Sequence, residues 1–291
     1  MKQRAVTAVF FATAMLLGIY GGKLPFFILF GAIAAGSVWE LSGLLFSREE
    51  PHFLLRRLIA LVFGLFPYLW MGKAILFHWV CGDHTPEEVQ STQYLISLYS
   101  SKYVLVGIAA GAFLVLFLEL FFAASKPFTN FGHFLAGVFY VTAPLIFLML
   151  MAYDGREYHP HRVFGMLWLV WTNDTLAYLV GSRFGKRKLF ERISPNKTWE
   201  GTLGGVAGAL LMAWGLARLI PDFNTAQWLA LSAVVGVFGT AGDLVESMLK
   251  RSVGVKDSGA FFPGHGGFLD RFDAFLFMLP FAWLAVWALG G

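Results

Sequence analysis

Cysteine and charge are scarce in this 291-residue chain. The single cysteine, Cys81, excludes an internal disulfide and any zinc or iron–sulfur site built from several cysteines of one chain. Charged residues make up 14% and apolar residues 57%, against about 25% and roughly 45–50% in a soluble domain. That balance excludes an ordinary soluble fold. No internal repeat, low-complexity segment or long linker divides the sequence. There is no GxxxxGK[ST] phosphate loop and no evident His–Ser or Cys–His pair to activate a nucleophile.

What the chain does have is long apolar runs. Its 31 phenylalanines and 10 tryptophans suit a lipid-facing surface with interfacial aromatics. A spanning helix needs about 20 mostly apolar residues. Stretches at 5–22, 24–46, 56–80, 102–124, 132–153, 162–183, 202–220, 228–249 and 272–290 qualify. Open strands cannot survive in lipid. The expected fold is therefore all-α, a polytopic membrane protein of one domain with about nine transmembrane helices. Lys2 and Arg4 before the apolar run Ala5–Tyr20 imitate a leader peptide, but the next run starts at Leu24, so a retained first span is expected.

Charge asymmetry orients the spans. With the N-terminus inside, all of the 22 basic residues except Lys23, Lys73, Lys102, Arg156, Arg162 and Arg218 fall on the cytoplasmic side. The segment 81–101, read as an external loop, is acidic through Asp83, Glu87 and Glu88. The C-terminus is then outside, and the loops 184–201 and 250–271 face the cytoplasm. Residues 1–170 read as a helical scaffold, chemically quiet apart from Glu40 and Glu119. A functional carboxylate is one reading of each, and the expected one is a group that is neutral, paired within the bundle, or near an interface. His159 and His161 flank Pro160 in what reads as a solvated turn.

The chemistry lies in 171–291. Asn173 and Asp174 interrupt an apolar helix and should face a polar interior. The basic run Arg183–Lys188 is followed by Ser194, Asn196, Lys197 and Thr198 around Pro195, directly before a helix start rich in glycine (Gly201, Gly204, Gly205, Gly208). Two readings fit that segment. One is a phosphate site made of helix-start N–H groups and a lysine. The other is a capped helix whose small residues pack closely on a neighbour. Further on, Asp243, Glu246, Ser247 and Lys250 stand at i, i+3, i+4 and i+7 and share one helix face. Asp257, His265, Asp270 and Asp273 follow closely. Asp243 and Asp270 are the candidate ligands of a hard divalent cation such as magnesium, which takes oxygen ligands. For either carboxylate alone, an ion pair with Arg251 or Arg271 is the competing reading. Gly264, Gly266 and Gly267 permit positive φ and close backbone approach to a ligand. Such a cation-rich cavity at a membrane surface suits phosphoryl or nucleotidyl transfer, which depends on alignment and charge neutralisation.

Residues 247–273 read S-x-x-K-R-x4-K-D-x-G-x2-F-P-x-H-G-G-F-x-D-R-F-D. This pattern resembles the signature of the phosphatidate cytidylyltransferase (CDP-diacylglycerol synthase) family. Asp174-Thr175-x-Ala177-Tyr178 and the segment Ile193–Gly201 resemble the same family. Leu176 stands where glycine is expected and Ala274 where serine is expected. The resemblance implies an integral enzyme of the bacterial inner membrane, active in phospholipid biosynthesis. It would convert CTP and phosphatidate into CDP-diacylglycerol and pyrophosphate with magnesium, two ions by that pattern. It also implies a homodimer and no nucleic-acid partner. By resemblance, Asp243 and Asp270 hold the metal, and Lys250, Arg251 and Lys256 neutralise phosphates. Ser247 lines the cavity, and Ser194, Asn196, Lys197 and Thr198 bind CTP. Asp174, His265, Arg271 and Asp273 are further polar groups of the site, with Asp273 counted among the catalytic ones. A CTP-dependent polyprenol kinase and a membrane transporter are the alternatives.

Overall fold

The computed structural model describes residues 2–80, 86–122, 125–153, 157–262 and 266–290. Cys81, Asp83, Arg156 and His265 lie outside these residues. Among the described residues the apolar runs form nine helices. They are α1 (Lys2–Tyr20), α2 (Lys23–Leu45), α3 (Phe53–Val80), α4 (Pro86–Glu119), α5 (Pro127–Ala152), α6 (Pro160–Phe184), α7 (Trp199–Leu219), α8 (Thr225–Ser252) and α9 (Leu269–Ala288). From α2 to α9 each carries a stretch long and apolar enough to cross a membrane, and α1 has the shorter run Val9–Tyr20. The chain is an integral membrane protein. Two short strands, β1 (Lys188–Phe190) and β2 (Ser194–Thr198), pair as an antiparallel hairpin outside these helices.

The segment expected as a loop over 81–101 is instead helical from Pro86. Proline suits the first helical position, and Glu87 and Glu88 suit the positive end of the helix dipole. No glycine or proline interrupts residues 87–106.

The chain divides into two compact units. The first contains residues 1–149, 153–158 and 259–268. Phe26, Phe30, Ile33, Tyr68, Val138 and Leu145 are buried in its core. Tyr68 satisfies its hydroxyl by donating to the Phe27 carbonyl at 2.8 Å. One buried ion network joins three segments of this unit. Arg56 Nε lies 3.0 Å from Glu119 Oε1, and its Nη1 lies 3.2 Å from Glu50. Asn130 donates to both carboxylates, at 3.2 and 3.4 Å. The Ser125 hydroxyl donates to Glu50 at 2.7 Å and, ahead of Asn130 and Arg56, holds that carboxyl below its ordinary range. Glu119 is thus paired inside the bundle. Arg56, counted from the sequence among the basic residues of the cytoplasmic side, is completely buried. Arg57 stacks on the Trp39 ring at 3.7 Å and donates to the Trp39 carbonyl at 2.7 Å.

The second unit contains residues 150–152, 159–258 and 269–291. Its fully buried Trp228 donates to the Ile220 carbonyl at 3.2 Å, next to a reciprocal cap between Asn224 and Gln227. His159 is half-buried and lies 3.2 Å from Asp222, so it is not a freely solvated turn residue. Helices α6 and α7 approach closely because α7 presents glycines. A Cβ on Gly201 would meet the Ala177 carbonyl oxygen, and one on Gly204 would meet Val180. One on Gly205 would lie 2.7 Å from the Asn173 carbonyl oxygen, and Gly208 makes room for Leu176. Leu176 therefore fills a hollow that Gly208 leaves.

Gly205→Ala is expected to lower stability by about 1–3 kcal/mol, because two helix backbones must part. Gly215 faces open space, so Gly215→Ala should be neutral or slightly stabilising. Comparing the thermal midpoints of the two detergent-purified variants checks both.

Candidate active site

The site is built on the last turns of α8. A wider turn over Val235–Gly239 divides this helix and redistributes its small residues. Gly236 faces Val206 of α7, whereas Gly242 faces Phe277 and the Asp273 carbonyl of α9. The glycines thus admit two different neighbours, and α8 runs tightly against the first turns of α9. Ala274 lies in that contact, its Cα 3.1 Å from where a Cβ on Gly242 would sit. Regular helix over Thr240–Ser252 then places Asp243, Glu246, Ser247 and Lys250 on one face, as their spacing requires.

Two clusters of carboxylate and ammonium groups result. In the first, Lys197 Nζ lies 2.6 Å from Asp243 Oδ2, and the Ser247 hydroxyl donates to Asp243 Oδ1 at 3.3 Å. Asp174, Asp243 and Asp273 repel one another here, with Lys197 as the cation among them. Buried Asn173 donates to Asp174 at 3.3 Å, and the Ala274 amide donates to Asp273 at 2.7 Å. In the second, Lys250 Nζ lies 2.6 Å from Asp270 Oδ1 and also contacts Glu246. The backbone N–H and the hydroxyl of Ser258 both donate to Asp270 Oδ2, each at 2.9 Å. Glu246 feels both Asp270 and Asp273, so the clusters are electrostatic neighbours.

They differ in access to water. The side chains of Lys197 and Asp243 are 26% and 39% exposed, whereas those of Lys250, Asp270 and Glu246 are 12%, 8% and 0% exposed. An open pair of the first kind contributes little to stability and exchanges partners readily. The second is enclosed, and removing one member would strand another charge.

Lys197 is delivered by the hairpin. Pro195 lies within β2, not at a turn, and Ser194 and Thr198 pair with Phe190 and Lys188. The Trp199 amide donates to the Arg187 carbonyl at 2.9 Å. Glu200 accepts the amides of Lys186 at 3.0 Å and Arg187 at 3.2 Å, tying the basic run to the start of α7. The Thr198 hydroxyl accepts the Gly201 amide at 3.2 Å and caps α7. Thr198 thus acts as a cap, and the glycines of α7 pack on α6. Of the four residues expected to bind CTP, Lys197 is the one whose side chain meets the carboxylates. Asn196 is exposed, and Ser194 is half-buried in the strand.

Arg251, Lys256 and Arg271 are exposed, and Arg251 donates to the Val255 carbonyl at 3.0 Å. Two residues carry more than the sequence assigned to them. Glu246 is fully buried against Lys250, a pairing already legible in its i, i+4 spacing. Glu200 anchors the hairpin, for which the sequence offers no signal beyond an acid at a helix start.

The donor set suits a hard cation. Asp243 with Ser247, and Asp270 with Ser258, offer oxygen only, and ammonium groups already take the cation positions beside both carboxylates. Among the described residues no three His, Cys, Asp or Glu side chains converge as a ready-made metal cage.

A profile of the cytidylyltransferase family matches residues 2–289. The phosphatidate cytidylyltransferase of Bacillus subtilis is 34% identical over 292 residues, covering 97% of this chain and 96% of that protein. That of Haemophilus influenzae is 32% identical over 297 residues, with the same coverage of 97% and 96%. That of Staphylococcus saprophyticus is 48% identical over a 130-residue stretch, 44% of this chain and 50% of the relative's length.

Proposed function

The chain belongs to the cytidylyltransferase family, and from that premise we propose that it transfers the cytidylyl group of CTP to phosphatidate, giving CDP-diacylglycerol and pyrophosphate. The observation that carries this reading is the pair of lysine-bound carboxylates, Asp243 with Lys197 and Asp270 with Lys250, on adjoining helix ends.

A phosphate monoester has a second pKa near about 6, so phosphatidate is largely dianionic at neutral pH and needs no strong base. Its oxygen attacks the α-phosphorus of CTP. The new P–O bond forms as the bond to the β-phosphate oxygen breaks, and pyrophosphate carries away the electron pair. The obstacle is repulsion between two anions. Lys250, clamped by Asp270 and Glu246, is a fixed positive charge. Lys197, on an open pair, can turn from Asp243 to an incoming phosphate at small cost. Arg251, Lys256 and Arg271 add exposed positive charge near the phosphates. Asp243 and Asp270 would hold magnesium, which supplies further charge neutralisation at the triphosphate. Asp174 and Asp273 complete the acidic wall that holds these cations in register.

The charge bias described above supports a site on the cytoplasmic face of the inner membrane, where CTP is available, with the N-terminus inside and the C-terminus outside. A homodimer belongs to the same reading. The test is isotope transfer by purified protein, with and without magnesium. Label from α-labelled CTP should enter lipid only when magnesium is present. Label entering lipid from γ-labelled CTP would indicate a lipid kinase and overturn the proposal.

A further inference from the structure

Glu40 lies in the apolar helix α2, where a carboxylate is costly and is kept for what it binds. Its Oε1 accepts the backbone N–H of Phe268 at 3.0 Å, across a sequence separation of 228 residues. A Cβ added to Gly259 or to Gly267 would run into the same carboxylate. One helical turn before Glu40, a Cβ on Gly36 would strike the Phe268 ring. Phe268 also packs on Phe261 and Phe262, with ring centroids 4.5 and 4.9 Å away, and the Phe262 amide donates to the Gly266 carbonyl at 2.9 Å. Among the described residues of this loop, Gly266 alone has a positive φ, at 81°. Backbone freedom therefore explains Gly266, but not Gly259 or Gly267. Those two are glycines because a carboxylate occupies the space beside them.

We infer that Glu40 is a positioning residue for Gly259 and for Gly267–Phe268, gripping the backbone at the peptide that leads into α9 and hence into Asp270, Arg271 and Asp273. The inference rests on the cytidylyl-transfer reading for its activity arm alone. A misplaced group of about 1 Å can cost on the order of 10²-fold in rate. Glu40→Ala should lower kcat about 10- to 100-fold while the KM for CTP stays within about twofold. Glu40→Gln, which keeps an acceptor for the Phe268 amide, should recover part of the loss. Gly267→Ala should be comparably harmful in the native protein and add nothing in the Glu40→Ala background, because the two changes disturb one contact.

Amide exchange of the 259–268 segment, followed by mass spectrometry in detergent, reads the grip without any turnover. Exchange should be faster in Glu40→Ala than in the native protein. Equal exchange in the two proteins, native kcat in Glu40→Ala, or losses that multiply independently in the double variant would each overturn the inference. If the native protein transferred no cytidylyl group, the exchange comparison would still decide it.

Discussion

Asp243→Asn is expected to cut cytidylyl transfer by about 10²- to 10³-fold, the usual cost of removing one aligned electrostatic group from a reaction centre. Asparagine keeps the size of the side chain and an acceptor for Ser247, but it loses the negative charge. Lys197 then loses its direct ion-pair partner, and Asp174 and Asp273 lose the neighbour whose charge helps confine cations here. The fold should survive. An open ion pair is worth roughly 0–1 kcal/mol, and this one is 26% and 39% exposed. The variant should therefore insert, purify and unfold like the native protein while failing the α-label assay. Near-native turnover would remove Asp243 from the site. Asp270→Asn should lose activity as well, but with a lower thermal midpoint. Its carboxylate is enclosed and serves Lys250 and both donors of Ser258.

Glu119→Ala is expected to damage stability, by about 3–5 kcal/mol, because it leaves a buried guanidinium without its main partner. Arg56 is 0% exposed and Glu119 is 4% exposed, so water cannot replace the lost contact. Glu50 still lies 3.2 Å from Arg56, which places the expected loss toward the lower end of that range. The double change Arg56→Met with Glu119→Leu should restore most of the stability, since an apolar pair avoids the desolvation cost of both charges. The check is the thermal midpoint of the single and double variants in detergent. Equal midpoints for native protein and Glu119→Ala would show that the network carries no stability.

The legible part of this protein is legible for a local reason. Membrane insertion depends on about 20 consecutive residues at a time, so hydropathy alone located the nine helices found among the described residues, those at 5–22 and 202–220 included. The shared face of Asp243, Glu246, Ser247 and Lys250 follows from helical pitch. The helix over 86–101 escaped because hydropathy says little about polar helices, whereas capping and dipole cues at Pro86–Glu88 did point to it. The strand over Ser194–Thr198 escaped for a different reason. A proline between donors reads as a turn, but β2 is an edge strand, and proline is tolerated there.

By itself the sequence determined a helical membrane protein with acids and bases gathered in its C-terminal part, because chain-local hydrophobicity and periodicity suffice for both. Only the tertiary structure decided which cation each carboxylate holds. Lys197 could have met any of several acids, Glu119 was one of two candidate orphans in an apolar helix, and Glu40 found its partner 228 residues away. Such pairings depend on which helices become neighbours. That is set by where glycines let backbones close up and by the need to neutralise every charge taken out of water.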